Sequence, residues 1–138
     1  VPYVHTLRVR FGECDPQGIV FNANYLAYID VAFTEWWREA CGSYAQMAER
    51  YRLDVVVAEA VQRFRAPARD DELLDIALSF PDIRTTSFTM AVAMTRAGAA
   101  ILDAELRYVF VDLSTHEKAP IPLDIRTRLE ENGAAIRG

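Results

Sequence analysis

From Asn24 to Cys41 the apolar residues are spaced for a helix and wrap most of its circumference: Tyr25, Leu26, Tyr28, Ile29, Val31, Ala32, Phe33, Trp36, Trp37, Ala40 and Cys41. A helix that is apolar on nearly every side has to be buried. In a chain of 138 residues, the remainder must enclose it. Asn24 is expected to cap this helix, its side chain accepting a hydrogen bond from a free N–H of the first turn. Gly42 is expected to end it, and a short second helix follows over 43–51.

Most of what remains reads as strand. Ahead of the helix, Leu7, Val9 and Phe11 face one way while Thr6, Arg8 and Arg10 face the other. After it, Val56, Ala58, Ala60, Gln62 and Phe64 alternate with Val57, Glu59, Val61, Arg63 and Arg65. Leu74, Ile76, Leu78 and Phe80 form one face of the next strand, then Phe88, Met90, Val92 and Met94, then Leu102, Ala104, Leu106, Tyr108 and Phe110. The gaps at 66–71, 81–86 and 97–99 are short, as antiparallel hairpins require and parallel crossovers do not allow. A closing helix is expected over Pro122–Asn132, ending at Gly133. The pattern predicts one α+β domain over residues 1–138, a curved antiparallel sheet of about five strands wrapped around a long central helix.

Composition removes several classes of function. A net charge of −5 argues against general affinity for nucleic acid, which rests on a surplus of phosphate-neutralising cations. No apolar run is long enough to span a bilayer, so no membrane partner is expected. The opening Val1-Pro2-Tyr3-Val4-His5 has the pattern of neither a signal nor a transit peptide, which makes the cytoplasm the expected compartment. Cys14 and Cys41 lack the spacing of a zinc site or redox pair, and no cluster of His, Cys and carboxylates suggests a metal.

Between the first strand and the central helix lies a turn-rich segment, Gly12 to Gly18, with Asp15 before Pro16; proline biases Asp15 away from helix and marks a loop. The stretch Phe11-Gly12-Glu13-Cys14-Asp15-Pro16-Gln17-Gly18-Ile19-Val20-Phe21-Asn22-Ala23-Asn24-Tyr25 resembles the signature of the 4-hydroxybenzoyl-CoA thioesterase family, with Asp15, Gly18, Val20 and Tyr25 at matching positions. Asp30 matches an acidic position further along the helix.

The resemblance implies a hotdog fold and hydrolysis of an acyl- or aryl-CoA thioester, with CoA entering as part of the substrate and no separate cofactor. It implies that Asp15 attacks the thioester carbonyl as a nucleophile or activates water as a base. The backbone amide of Asn22 would hold the carbonyl oxygen, in a position where some members of the family carry His. Helix N-terminal amides are unpaired and sit at the positive end of the helix dipole, which suits the charge that develops on that oxygen. Thiolate is a good leaving group, so a lone carboxylate and one oxyanion donor suffice. Gly18, Val20 and Tyr25 are expected beside the substrate. The turn Ile83–Ser87 resembles a hairpin that contacts the nucleotide of CoA, which makes Arg84 and Ser87 candidates, with Arg63, Arg65 and Arg69 as further possibilities. A homodimer or homotetramer, joined edge to edge, is also implied.

Two other readings share the scaffold: a non-catalytic acyl-CoA binding module and a hotdog hydratase. Hotdog hydratases rely on a His near the central helix, whereas His5 and His116 lie far from it in sequence. Asp30 and Glu35 stand in reserve as catalytic carboxylates, each first expected to have a structural partner. The helix aromatics are core first and acyl-pocket lining second.

Overall fold

The computed structural model describes residues 3–132. The elements run β1 (Tyr3–Arg8), a 3-10 turn (Phe11–Glu13), α1 (Asn24–Cys41), α2 (Tyr44–Tyr51), β2 (Leu53–Phe64), β3 (Leu73–Ile83), β4 (Ser87–Arg96), β5 (Ala99–Asp112) and α3 (Leu123–Glu131). The five strands form one sheet in the order β1-β3-β4-β5-β2, every pair antiparallel. This is the α+β hotdog arrangement, and β1 and β2 are its edges.

The core is the inner face of the sheet closed over α1. Leu74, Ile76 and Leu78 of β3, Phe88, Met90 and Met94 of β4, and Leu102, Leu106 and Phe110 of β5 meet Ile29, Ala32, Phe33, Trp36 and Trp37 of the helix. Phe33 stacks on Tyr108 with ring centroids 4.7 Å apart, and Trp36 lies 4.5 Å from Phe80. Gly42 ends α1 at φ +80°, a conformation that suits glycine. Ser43 caps α2, its side chain accepting from the Gln46 amide while Gln46 reaches back to the Ser43 N–H.

Four local expectations fail for identifiable reasons. Phe11 does not continue the inward face of β1; it sits on the 3-10 turn at 80 % exposure, because the strand has ended at Arg8. Asn24 is not the cap of α1. The cap position is Ala23, while Asn24 is the first helical residue and its side-chain Nδ2 donates to the Glu13 carbonyl at 2.8 Å. The helix is also not covered all round, since Leu26 and Val31 remain exposed in the single chain. Finally, β2 does not keep one phase. A register shift between Val57 and Glu59 places Val57 opposite the buried Tyr108 and Glu59 opposite the exposed Arg107. The extra residue, Ala58, thus switches the phase within the strand: Val55 and Val57 stand opposite Phe110 and Tyr108, whereas Ala60, Gln62 and Phe64 stand opposite Leu106, Ala104 and Leu102. The closing helix stops at Glu131, and the expected terminator Gly133 lies outside the described residues.

Candidate functional site

The segment between β1 and α1 is a pinned excursion. Cys14 and Val20 face each other in an antiparallel bridge, and a second bridge joins Ile19 to Arg69. Within that frame the Asp15 amide donates to the Ile19 carbonyl at 2.8 Å, and the Gly18 amide donates back to the Asp15 carbonyl at 2.9 Å. Gly18 holds φ +81°, and a Cβ there would meet nothing within 4 Å, so the backbone conformation rather than space calls for glycine. The Asp15 carboxylate is half-buried and accepts from the Gln17 amide through Oδ1 at 2.8 Å, which fixes its direction. Oδ2 has no hydrogen-bond partner among the described residues.

The chain then enters α1 through a tight turn in which the Asn24 amide donates to the Phe21 carbonyl at 2.9 Å. The N–H groups of Asn22 and Ala23 have no acceptor among the described residues, and both residues are exposed. An unpaired amide therefore sits at the start of an eighteen-residue helix, where the dipole favours negative charge. Asn22 also lines a cavity of about 290 Å³ together with Ile19, Val20, Tyr25, Phe64, Arg65, Ala66 and Pro67. Of the residues expected beside substrate, Val20 and Tyr25 thus share a cavity with Asn22. Both are almost wholly buried: the Val20 amide donates to the Ala68 carbonyl, and the Tyr25 hydroxyl accepts from the Ala68 amide at 3.2 Å.

Further along the same α1–β2 seam, Asp30, Phe33, Thr34, Trp37, Tyr44, Val55, Val57 and Tyr108 line a second cavity of about 320 Å³. Its walls are aromatic. Burial and then the Asp30 carboxylate push the ionisation of the Tyr108 hydroxyl upward, which keeps that hydroxyl protonated at neutral pH. Two buried polar atoms beside this seam, Trp37 Nε1 and Gln62 Oε1, lack a partner among the described residues. Of the reserve carboxylates, Glu35 is tied to Arg38 at 2.6 Å, whereas Asp30 borders the cavity. A depression of about 810 Å³ lies between the end of α2 and α3. It contains none of the residues singled out by sequence, and its polar groups engage one another, with the Tyr51 hydroxyl 2.6 Å from Asp124.

Arg84 and Ser87 stand elsewhere. The Arg84 amide donates to the Ser87 carbonyl at 2.7 Å and closes the β3–β4 turn, while its guanidinium pairs with Asp82 at 3.1 Å. Arg126 donates to the Arg84 carbonyl. This turn follows the Ile83 end of β3, while the Asp15 loop leaves the sheet beside Leu73, the partner of Arg8. Ten residue steps of β3 separate those ends, roughly 33 Å at strand rise. Arg65 is occupied by Asp103 at 2.9 Å, and Arg63 lies on the outer face opposite Asp103.

One residue that belongs to this site carried no signal of its own in the sequence. Glu13 accepts from the Arg10 amide at 2.8 Å and from the Tyr28 hydroxyl at 2.8 Å, while its carbonyl accepts from the Phe21 amide and the Asn24 side chain. Burial raises the Glu13 pKa, but the hydrogen bonds from Arg10 and Tyr28 and the Arg10 charge together hold it below the usual carboxylate range. The available clues were the Arg10–Glu13 spacing of a turn cap and a core-facing tyrosine whose hydroxyl needs a partner.

The chain is 32 % identical over 121 residues to the acyl-CoA thioester hydrolase YbgC of Escherichia coli, covering 86 % of this chain and 89 % of that one. It is 27 % identical over 111 residues to a putative esterase of Aquifex aeolicus, covering 80 % and 86 %. A 1,4-dihydroxy-2-naphthoyl-CoA thioesterase from Synechocystis shares the fold at a TM-score of 0.87 over 95 % of this chain and 97 % of that one, with 19 % identity. Residues 9–129, which contain the Asp15 loop, α1 and the whole sheet from β2 to β5, match the Thioesterase-like superfamily, and the chain belongs to that family.

Proposed function

We propose that this chain hydrolyses an acyl-CoA thioester to the free acid and CoA, with Asp15 as nucleophile or general base and the Asn22 amide as oxyanion donor. The observation that carries this reading is the pairing, within one pinned loop, of a half-buried carboxylate with an unpartnered helix N-terminal amide. The thioester carbonyl would lie between them: the carboxylate, or a water it activates, attacks carbon while the amide takes the charge growing on oxygen. A fixed donor of this kind is worth about 2.7–4 kcal/mol in the transition state. CoA leaves as a thiolate and needs no strong acid. The aromatic cavity along the seam would receive the acyl group. Kinship with the acyl-CoA thioester hydrolase of Escherichia coli supports this reading.

The site also calls for a second copy. Strand β2 is a twelve-residue edge with Val57, Val61 and Phe64 exposed, and Leu26 and Val31 of α1 are exposed as well. Unpaired backbone and apolar side chains on one side of a molecule favour association there.

Thiol release from a panel of acyl-CoA substrates, followed with a thiol reagent, tests the reaction. Hydrolysis releases thiol; a binding module releases none above background, and a hydratase changes the absorbance of an enoyl-CoA without freeing CoA. Asp15→Asn is expected to keep the fold and lower the rate by at least ~10²-fold, the usual minimum for a positioned acid–base group. A near-normal Asp15→Asn enzyme alongside an inactive Asp30→Asn would move the chemistry onto the helix.

A further inference from the structure

Glu13 holds the Asp15 loop to α1 at two points. Its carboxylate accepts from Tyr28, a residue only 4 % exposed on the second turn of the helix. Its carbonyl accepts from the Asn24 side chain one helical turn earlier, at 2.8 Å, and from the Phe21 amide at 3.0 Å. Positions 24 and 28 are four apart and so lie on one face of α1, which gives Glu13 a two-point attachment rather than a pivot. Asp15 follows two residues later, and Asn22 lies between the Phe21 and Asn24 attachments. Whatever sets the position of Glu13 against α1 therefore sets the gap between the carboxylate and the free amide.

We propose that Glu13, through its hydrogen bond with Tyr28, is the positioning residue that fixes Asp15 relative to the Asn22 amide. This rests on the thioesterase reading above. Glu13 touches no substrate; it acts by geometry. The Arg10 guanidinium, 2.9 Å away but largely exposed, orients the carboxylate without adding much to this hold. The Tyr28 hydroxyl is the partner that counts, because it is buried and itself anchored edge-on against Tyr25, with ring centroids 6.0 Å apart.

The experiment is steady-state thiol release by the full chain carrying Tyr28→Phe, Glu13→Ala, both, or Glu13→Gln, with thermal melting in parallel. Displacement of a catalytic group by about 1 Å costs up to ~10²-fold. Tyr28→Phe and Glu13→Ala should each lower kcat by ~10-fold or more while KM stays within ~2-fold, as expected when a transition-state interaction is lost. The double variant should be no slower than the worse single one, because both remove the same bond. Glu13→Gln, which keeps an acceptor for Tyr28, should recover most of kcat. Tyr28→Phe removes only one hydroxyl and reports even if Glu13→Ala fails to fold. Lowered melting temperatures with unchanged kcat, or additive losses in the double variant, overturn the proposal. An active wild type with normal variants sinks this inference alone, whereas a wild type that frees no thiol from any acyl-CoA sinks the thioesterase reading with it.

Discussion

The Tyr25 hydroxyl accepts a hydrogen bond from the Ala68 amide at 3.2 Å, joining the first turn of α1 to the loop between β2 and β3. Ala68 is completely buried, and its carbonyl accepts from the Val20 amide. The tyrosine that the family signature places beside the substrate therefore also supports the wall of the cavity containing Asn22. Tyr25→Phe would leave a buried N–H without a partner, at a cost of about 1–3 kcal/mol. The expected outcome is an unfolding free energy in urea lowered by that amount, with kcat of the folded enzyme changed less than ~3-fold. A large fall in kcat at unchanged stability would mean that the hydroxyl takes part in the reaction.

Asn22 separates main-chain from side-chain chemistry. Its side chain makes no hydrogen bond to the described residues and does not cap α1. Asn22→Ala should therefore cost less than ~10-fold in kcat, because the amide at that position survives. It should also leave stability nearly unchanged, since surface substitutions of this kind usually stay within about 0.5 kcal/mol. A collapse comparable with Asp15→Asn would show that the carboxamide itself orients water or substrate.

The contrast between Asn22 and Asn24 shows where the sequence was readable. Strands β3, β4 and β5 were plain, because each buries one face and alternation records that directly: Leu74, Ile76 and Leu78 are all fully buried. In β2 the alternation holds for Ala60, Gln62 and Phe64 but fails at Val56 and Ala58, because an edge strand tolerates a bulge and nothing in Val57-Ala58-Glu59 marks the extra residue. The Asp15 loop was legible from its local signature. The partnership of Glu13 with Tyr28 was not, since it joins residues fifteen positions apart in different elements. Asn24 misled for a related reason. Asparagine at a helix start usually accepts from the helix, but here the nearby Glu13 carbonyl offered its amide a better bond.

Glu13 also makes a prediction about acid stability. Its pKa in the folded protein lies below the ordinary 4.5, held down by Arg10 and Tyr28 against the opposing effect of burial. In the unfolded chain it titrates near that ordinary value, so the unfolded state binds the proton first as pH falls. The stability contributed by the ionised carboxylate is thus fully present above about pH 4.5 and lost as pH drops through the folded pKa. Asp112 and Asp124 are depressed as well, so the measurement must be a difference. Urea midpoints of wild type and Glu13→Gln should be well separated at pH 7 and converge on acidification. A separation that is constant down to pH 3 would contradict this.

Arg84 tests the nucleotide site and the assembly together. Its guanidinium is paired with Asp82 yet mostly exposed, so a phosphate can compete for it with two parallel hydrogen bonds. Arg84 acts far from the reacting carbon, so Arg84→Ala should raise KM by ~3–10-fold with kcat nearly unchanged, as loss of uniform binding does. The effect should shrink with salt and vanish for a pantetheine thioester that lacks the nucleotide. Within one chain, however, roughly 33 Å of β3 separates this turn from the loop of Asp15. If Arg84 holds the nucleotide of a substrate bound at Asp15, the two residues come from different copies. Light scattering should then give a multiple of 15.6 kDa at micromolar concentration. Mixing supplies the sharper check. Arg84→Ala chains retain Asp15, and Asp15→Asn chains retain Arg84, so a mixed assembly built across copies contains some sites with both residues intact. Co-refolding the two variants should therefore produce a component with the wild-type KM that neither variant shows alone. If both residues served the same chain, every active site in the mixture would lack Arg84, and only the raised KM would be seen.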